Sequence, residues 1–245
     1  MQRYFLKNEQ FNGQSVRILG DDAHHIGRVM RGKPGDEVLV CNEDGACFVA
    51  TLNQIGDDVE ATLSKELEAV TELPVDVTIA QGLPKGDKLE LVLQKGTECG
   101  AAGFIPVAME RSVVKLEAKK VGKKLERWQK ICKEASEQAH RQKIPTVSGP
   151  LTLKELLALD FEVKLFAYEE SAKQGERSNL KACLSQIKPG TSVLVLVGPE
   201  GGVSSKEAEA LEAAGFFPCA LGPRILRTET APIYILSAIS YALEL

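Results

Sequence analysis

The strongest constraint on the fold is a pattern that occurs twice near the end of the chain. An apolar run, Val193–Val197, stops at Gly198-Pro199-Glu200-Gly201-Gly202, and a second run, Phe217–Leu221, stops at Gly222-Pro223-Arg224. Short apolar runs bounded by glycine and proline read as buried strands. Segments with helical periodicity follow them, at 205–214 and 232–245. Strand, turn and helix in repetition point to a mostly parallel sheet covered by helices. Two such turns close together can build one pocket lined mainly by backbone, which suits a flat polar ligand such as an adenosine.

Glycine permits positive φ and close backbone approach, so Gly198, Gly201 and Gly202 mark a ligand-lining turn. The next helix has Ser204 or Ser205 as its N-cap and presents the positive end of its dipole. No Gly-Lys-Ser/Thr follows, and the dinucleotide fingerprint GxGxxG is absent. The second turn crowds Arg224, Arg227 and Glu229 ahead of an apolar helix that Thr230 can cap, with Pro232 accepted in its first turn. These charges make either a local ion pair or a grip on an anionic nucleic-acid group.

Earlier in the chain the rhythm differs. Short strands at 3–6, 15–19, 37–41, 46–52 and 59–63 are separated by turn signals such as Lys33-Pro34-Gly35-Asp36. One helix, Ala23–Met30, interrupts them, with Asp21 or Asp22 as its cap. A small β-barrel carrying one helix is expected. From Leu73-Pro74 onward, strands at 75–80, 104–107 and 163–168 alternate with helices at 85–101 and 119–142. The expectation is two domains, 1–73 and 74–245, the second an α/β domain. Its last helix bears Ile233, Ile235, Leu236, Ala238, Ile239, Ala242 and Leu243 on nearly every face. It must be buried, within its domain or against a second copy, and a homodimer is the preferred account.

The net charge of −4 hides an uneven distribution. Residues 1–73 hold 7 Lys/Arg against 13 Asp/Glu, whereas residues 111–143 hold 11 against 4. That basic stripe is a phosphate-contacting surface or a solvated helix face. The six cysteines form no CxxC pair, which predicts reduced thiols and no zinc site. No apolar run reaches the roughly 20 residues of a membrane helix, and no signal-peptide core is seen near the N-terminus. A cytoplasmic protein without membrane or metal is expected.

Together, LVGPEGG (Leu196–Gly202) and LGPRILRTETA (Leu221–Ala231) resemble the bacterial 16S rRNA (uracil-N3) methyltransferase family of the SPOUT trefoil-knot methyltransferases. HHIGRVMR (His24–Arg31) resembles that family's PUA-like RNA-binding domain. LPKGDKLELVLQKGTECGA (Leu83–Ala101), ERSVVK (Glu110–Lys115) and RWQKICKEASEQAHRQKIP (Arg127–Pro145) resemble its catalytic domain, in order. Met30 and Cys99 stand where leucine is commoner, both apolar exchanges.

The resemblance implies a PUA-like β-barrel, a trefoil-knotted α/β domain and a homodimer. It implies S-adenosylmethionine in a pocket of Tyr168, Glu169, Leu196, Val197, Gly198, Pro199, Glu200, Gly201 and Gly202. The other wall would be Leu221, Gly222, Ile225, Leu226, Arg227, Thr230 and Ala231. The implied substrate is one uridine, position 1498, of 16S rRNA in the 30S subunit. Its RNA would be contacted by His25, Arg28, Arg31, Lys85, Lys88, Arg111, Glu134, Gln138 and Arg141. Another SPOUT reaction (ribose 2′-O or guanine) and a non-enzymatic assembly factor are the alternatives. Loss of the N3 proton spreads charge onto uracil O2 and O4. Arg227, Arg224 and Arg141 are expected to favour that anion or grip phosphates, while Glu229 orients an arginine or relays the proton. Glu134, Gln138 and Arg141, spaced i, i+4, i+7, are expected on one face of helix 119–142.

Overall fold

The computed structural model describes residues 1–68, 70–114, 116, 118–170 and 179–245. It divides into two units: Met1–Glu72 with Ser136–Ile144, and Leu73–Ala135 with Pro145–Leu245.

In the first unit, β1 (Arg3–Phe5), β2 (Phe11–Asn12), β3 (Ser15–Ile18), β4 (Glu37–Cys41), β5 (Cys47–Ile55) and β6 (Val59–Glu66) form one sheet, ordered β1-β4-β5-β6-β3-β2. β1 runs parallel to β4, and the other pairings are antiparallel. Alternation drives the burial. In β3, Val16 and Ile18 point inward while Ser15 and Arg17 face out. They join Tyr4, Val40, Leu52 and Val59 in the core. Helix α1 (Gly20–His24) runs into a π turn, His25–Val29, closed by a 2.8 Å bond from Met30 N–H to His25 O. Asp21 and Asp22 do not cap this helix, because the N-cap position is Leu19. They lie in its first turn and act on the dipole.

Cys41 and Cys47 form a disulfide, which corrects the expectation of six reduced thiols. The hairpin register sets them opposite one another on β4 and β5, with Cα atoms 4.0 Å apart. A search for CxxC cannot find a pair made by strand register.

A second correction concerns Arg141. The long helix ends at Gln138, short of the expected 142, because His140 adopts a left-handed φ of 57°. Arg141 N–H bonds Ser136 O at 2.9 Å and His140 N–H bonds Glu137 O at 3.4 Å, a Schellman end. Arg141 therefore lies past the helix and shares no helical face with Glu134 and Gln138. Its buried guanidinium is bonded to Glu72, with Nε at 3.1 Å, so it anchors the fold rather than presenting charge to RNA. Glu72 also accepts the backbone N–H of Gln142 at 2.8 Å. Buried Arg3 donates to the carbonyls of His140 and Arg141, at 2.7 and 2.6 Å. These bonds are why 136–144 belongs to the first unit.

In the second unit, β7 (Asp76–Gly82), β8 (Gly103–Ala108), β9 (Thr146–Val147), β10 (Leu151–Thr152), β11 (Val163–Ala167), β12 (Ser192–Val197) and β13 (Phe217–Cys219) form a parallel sheet. Its order is β10-β8-β7-β12-β11-β13, with β9 also on β8. The helices are α2 (Lys88–Glu98), α3 (Ala118–Gln138), α4 (Leu153–Leu157), α5 (Asn179–Leu184), α6 (Ser205–Ala213) and α7 (Thr230–Glu244). β7, β8 and β12 are buried almost end to end, as central parallel strands covered on both faces must be. Phe166, Leu194, Leu196, Leu211 and Phe216 pack together in the core. β9, β10 and α4 were not expected, since two-residue strands carry no periodicity. α7 buries Ala231, Pro232, Ile235, Leu236 and Ile239 but leaves Tyr234 and Tyr241 exposed, so its own chain covers one face only. Among the described residues, no helix is long and apolar enough to cross a membrane.

Candidate functional site

Parallel strands deliver their following loops to one edge of the sheet, the usual place for a ligand. β12 adjoins β11, and β13 lies beyond it, so the bends after β12 and β13 arise close together. The first bend folds tightly on itself: a Cβ at Gly198 would lie 2.9 Å from the Gly202 carbonyl carbon. Gly202 and Gly222, at φ 71° and 86°, occupy the left-handed region. Ser204, not Ser205, caps α6. Its hydroxyl accepts Glu207 N–H at 3.3 Å, and the Glu207 carboxylate accepts Ser204 N–H at 2.9 Å.

The bends share one cavity of about 550 Å³, within the range of nucleoside-sized sites. Tyr168 and Glu169 line it from the end of β11, Val197–Val203 from the first bend, and Leu221, Gly222, Arg224–Thr228 and Ala231 from the second. Of the residues expected in that wall, Leu196 sits in the core beneath it, and Thr230 does not line the cavity. Thr230 is the first residue of α7, not its cap; the N-cap position is Glu229, without a side-chain cap bond. Residues not foreseen in the lining include Glu170, Ser205, Cys219 and Thr228.

Thr228 joins the bends at the floor. Its hydroxyl donates to Gly198 O at 2.7 Å and accepts from Gln81 Nε2 at 2.8 Å. Beside it, a Cβ on Gly82 would come within 2.6 Å of the Pro199 ring and nitrogen, so β7 and the first bend touch backbone to backbone.

The mouth is charged. Lys88 Nζ of α2 lies 2.9 Å from Glu200 and 3.5 Å from Glu229. The hydrogen bond to Glu200, with the charge of both carboxylates, holds the ammonium above the ordinary lysine value. Burial alone would raise the Glu200 carboxyl, but hydrogen bonds from Lys88 and from Lys85 N–H at 3.0 Å outweigh it and hold it below the usual carboxylate value. Lys88, expected on RNA, thus faces two carboxylates. Glu229 has Lys88 beside it where an arginine was expected. Arg224 and Arg227 line the cavity and are exposed, and Arg111 donates to Gly201 O at 2.9 Å.

The remaining expected RNA contacts do not line this cavity. Lys85, Glu134 and Gln138 are exposed, and Glu134 stands 3.9 Å from Lys130. In the first unit, Arg28 and Arg31 are exposed, while His25 Nδ1 pairs with the Tyr4 hydroxyl at 2.9 Å. Among the described residues, no group of three or more His, Cys, Asp or Glu could hold a metal ion.

Residues 71–240 match the family model of the RNA methyltransferase domain, and residues 18–63 that of the RNA methyltransferase PUA domain. A Ribosomal RNA small subunit methyltransferase E of Bacillus subtilis is 48% identical over 100% of this chain and 98% of its own. The crystal structure of a Ribosomal RNA small subunit methyltransferase E from Neisseria gonorrhoeae, bound to S-adenosyl methionine, is 30% identical with a TM-score of 0.86, covering 98% of this chain and 97% of that one. A Legionella pneumophila methyltransferase in complex with the cofactor SAM is 31% identical with a TM-score of 0.84, again over 98% and 97%. The chain belongs to the ribosomal RNA small subunit methyltransferase E family, RNA methyltransferases that carry a PUA domain.

Proposed function

We propose that this protein methylates N3 of one uridine, position 1498, in 16S rRNA of the 30S subunit, with S-adenosylmethionine as methyl donor. The observation that carries the reading is the single cavity shared by two glycine-bearing bends joined through Thr228 and Gly198. The cavity fits that cofactor: a Cβ at Gly202 would meet nothing within 4 Å, so backbone there is open to a flat ligand. Relatives solved with the cofactor support the same assignment. The proposal includes a PUA-like barrel at 1–73, a trefoil-knotted domain at 74–245, a cytoplasmic location and a homodimer. The exposed Tyr234 and Tyr241 of α7 support the dimer.

Bound S-adenosylmethionine supplies an electrophilic methyl group on a sulfonium. The protein's task is positioning and charge. Tyr168, Glu169, Leu221, Ile225 and Leu226 would enclose the adenosine with the backbone of the first bend. Arg227 and Arg224, both exposed, would draw charge onto uracil O2 and O4 or hold flanking phosphates. Glu229, with Lys88 3.5 Å away, would pass on the N3 proton. His25, Arg28, Arg31, Lys85, Arg111, Glu134 and Gln138 would contact RNA.

The test is incubation with methyl-labelled S-adenosylmethionine and 30S particles lacking the modification, followed by nuclease digestion and mass spectrometry. Label on N3 of a single uridine is expected. Label on a ribose or a guanine would replace the proposed reaction, and no transfer would remove the enzymatic reading. Arg227→Ala should lower turnover by roughly 100-fold or more with little change in cofactor affinity. Equal loss of both would contradict the assignment of Arg227.

A further inference from the structure

Gln81 ends just short of the cavity, 1% exposed, and the chemistry above makes no use of it. We propose that it is the positioning residue that fixes how the two cavity-lining bends close on one another. The effect on cofactor binding rests on reading the cavity as the S-adenosylmethionine site.

The side-chain nitrogen of Gln81 lies among acceptors: Thr228 Oγ1 at 2.8 Å, Gly82 O at 3.0 Å and Gly198 O at 3.4 Å. The opposite amide orientation would aim an oxygen at the same groups, so its polarity is fixed. A threonine hydroxyl has one proton. Because Gln81 supplies the hydrogen for its contact with Thr228, the Thr228 proton is directed to Gly198 O, at 2.7 Å. Donation therefore runs from β7 to the second bend and on to the first. Gly198 itself lines the cavity, so the place of its carbonyl fixes the inner wall.

Satisfying Gln81 does not explain the arrangement. Among the described residues, its Oε1 is buried without a hydrogen-bond partner, a destabilising feature. Leucine would fill the volume without that loss. What leucine lacks is the N–H that orients Thr228.

Gln81→Glu keeps the shape and, at a pH high enough to ionise the buried carboxyl, reverses the polarity: a carboxylate only accepts, so the Thr228 proton turns away from Gly198. Calorimetric titration of S-adenosylmethionine should show affinity falling roughly tenfold in Q81E and in T228V, but little in T228S, which keeps the hydroxyl. The Q81E/T228V pair should bind no more weakly than T228V, because both act through one contact. Without cofactor, trypsin should cut after Arg224 and Arg227 several-fold faster in Q81E than in wild type. Folded Q81E with wild-type affinity and wild-type cleavage would overturn the proposal, as would T228S binding as weakly as T228V. Should wild type itself fail to bind the cofactor, the functional reading falls and the cleavage rates alone decide: faster cutting in Q81E sustains the clasp, equal rates refute it.

Discussion

The floor and the mouth of the cavity hold the same two bends together by opposite means. At the floor the contacts are neutral and buried: Gln81 and Thr228 are 1% and 8% exposed. At the mouth they are ionic and wet, with the Lys88 side chain 33% exposed and that of Glu200 30%. Water screens the mouth, so its attraction is weak and salt-dependent. At the buried floor, a carbonyl that loses its donor keeps only the long 3.4 Å contact to Gln81. The floor therefore sets geometry and the mouth sets local charge.

The sharpest way to break the comparison is Gly82→Ala. The added Cβ, 2.6 Å from Pro199, cannot be absorbed by a flexible side chain. Calorimetry should show a loss of about 3 kcal/mol or more, and an unchanged transition would refute the backbone-to-backbone contact. Thr228→Val comes next. Denaturant unfolding should register about 1–3 kcal/mol from a Gly198 carbonyl left with only the long 3.4 Å contact to Gln81; a neutral result would show that this contact or water replaces the lost hydroxyl. Lys88→Met should cost least, and the difference from wild type should fade in high salt.

Acid and base sharpen the contrast. Lys88 titrates above its ordinary value in the fold, so the stability it lends is complete at neutral pH and is lost as pH rises through that raised value. Glu200 titrates below its ordinary value, so its share is lost only as pH falls through that lowered value. The wild-type advantage over Lys88→Met should be level between the ordinary carboxylate value and the ordinary lysine value. Thr228→Val should differ from wild type equally at every pH within them. Unfolding curves across pH check both.

What sequence revealed divides along similar lines. The strands before the bends, their glycines and the exposed arginines were legible because each signal is local. Gln81 lies 147 residues from Thr228, and no periodicity links them. The Cys41–Cys47 bond arises from hairpin register. Arg141 was misjudged because the expected helix ran through His140, whose left-handed backbone is usually signalled by glycine. Thr228 lay within a recognised segment, but its neighbours' charges drew the functional assignment.

The most direct measurement is hydrogen exchange with and without S-adenosylmethionine. Slower exchange in 198–203 and 220–231 together, at one cofactor concentration dependence, is the predicted result. Protection of one bend alone, or of neither while the cofactor binds elsewhere, would contradict the account.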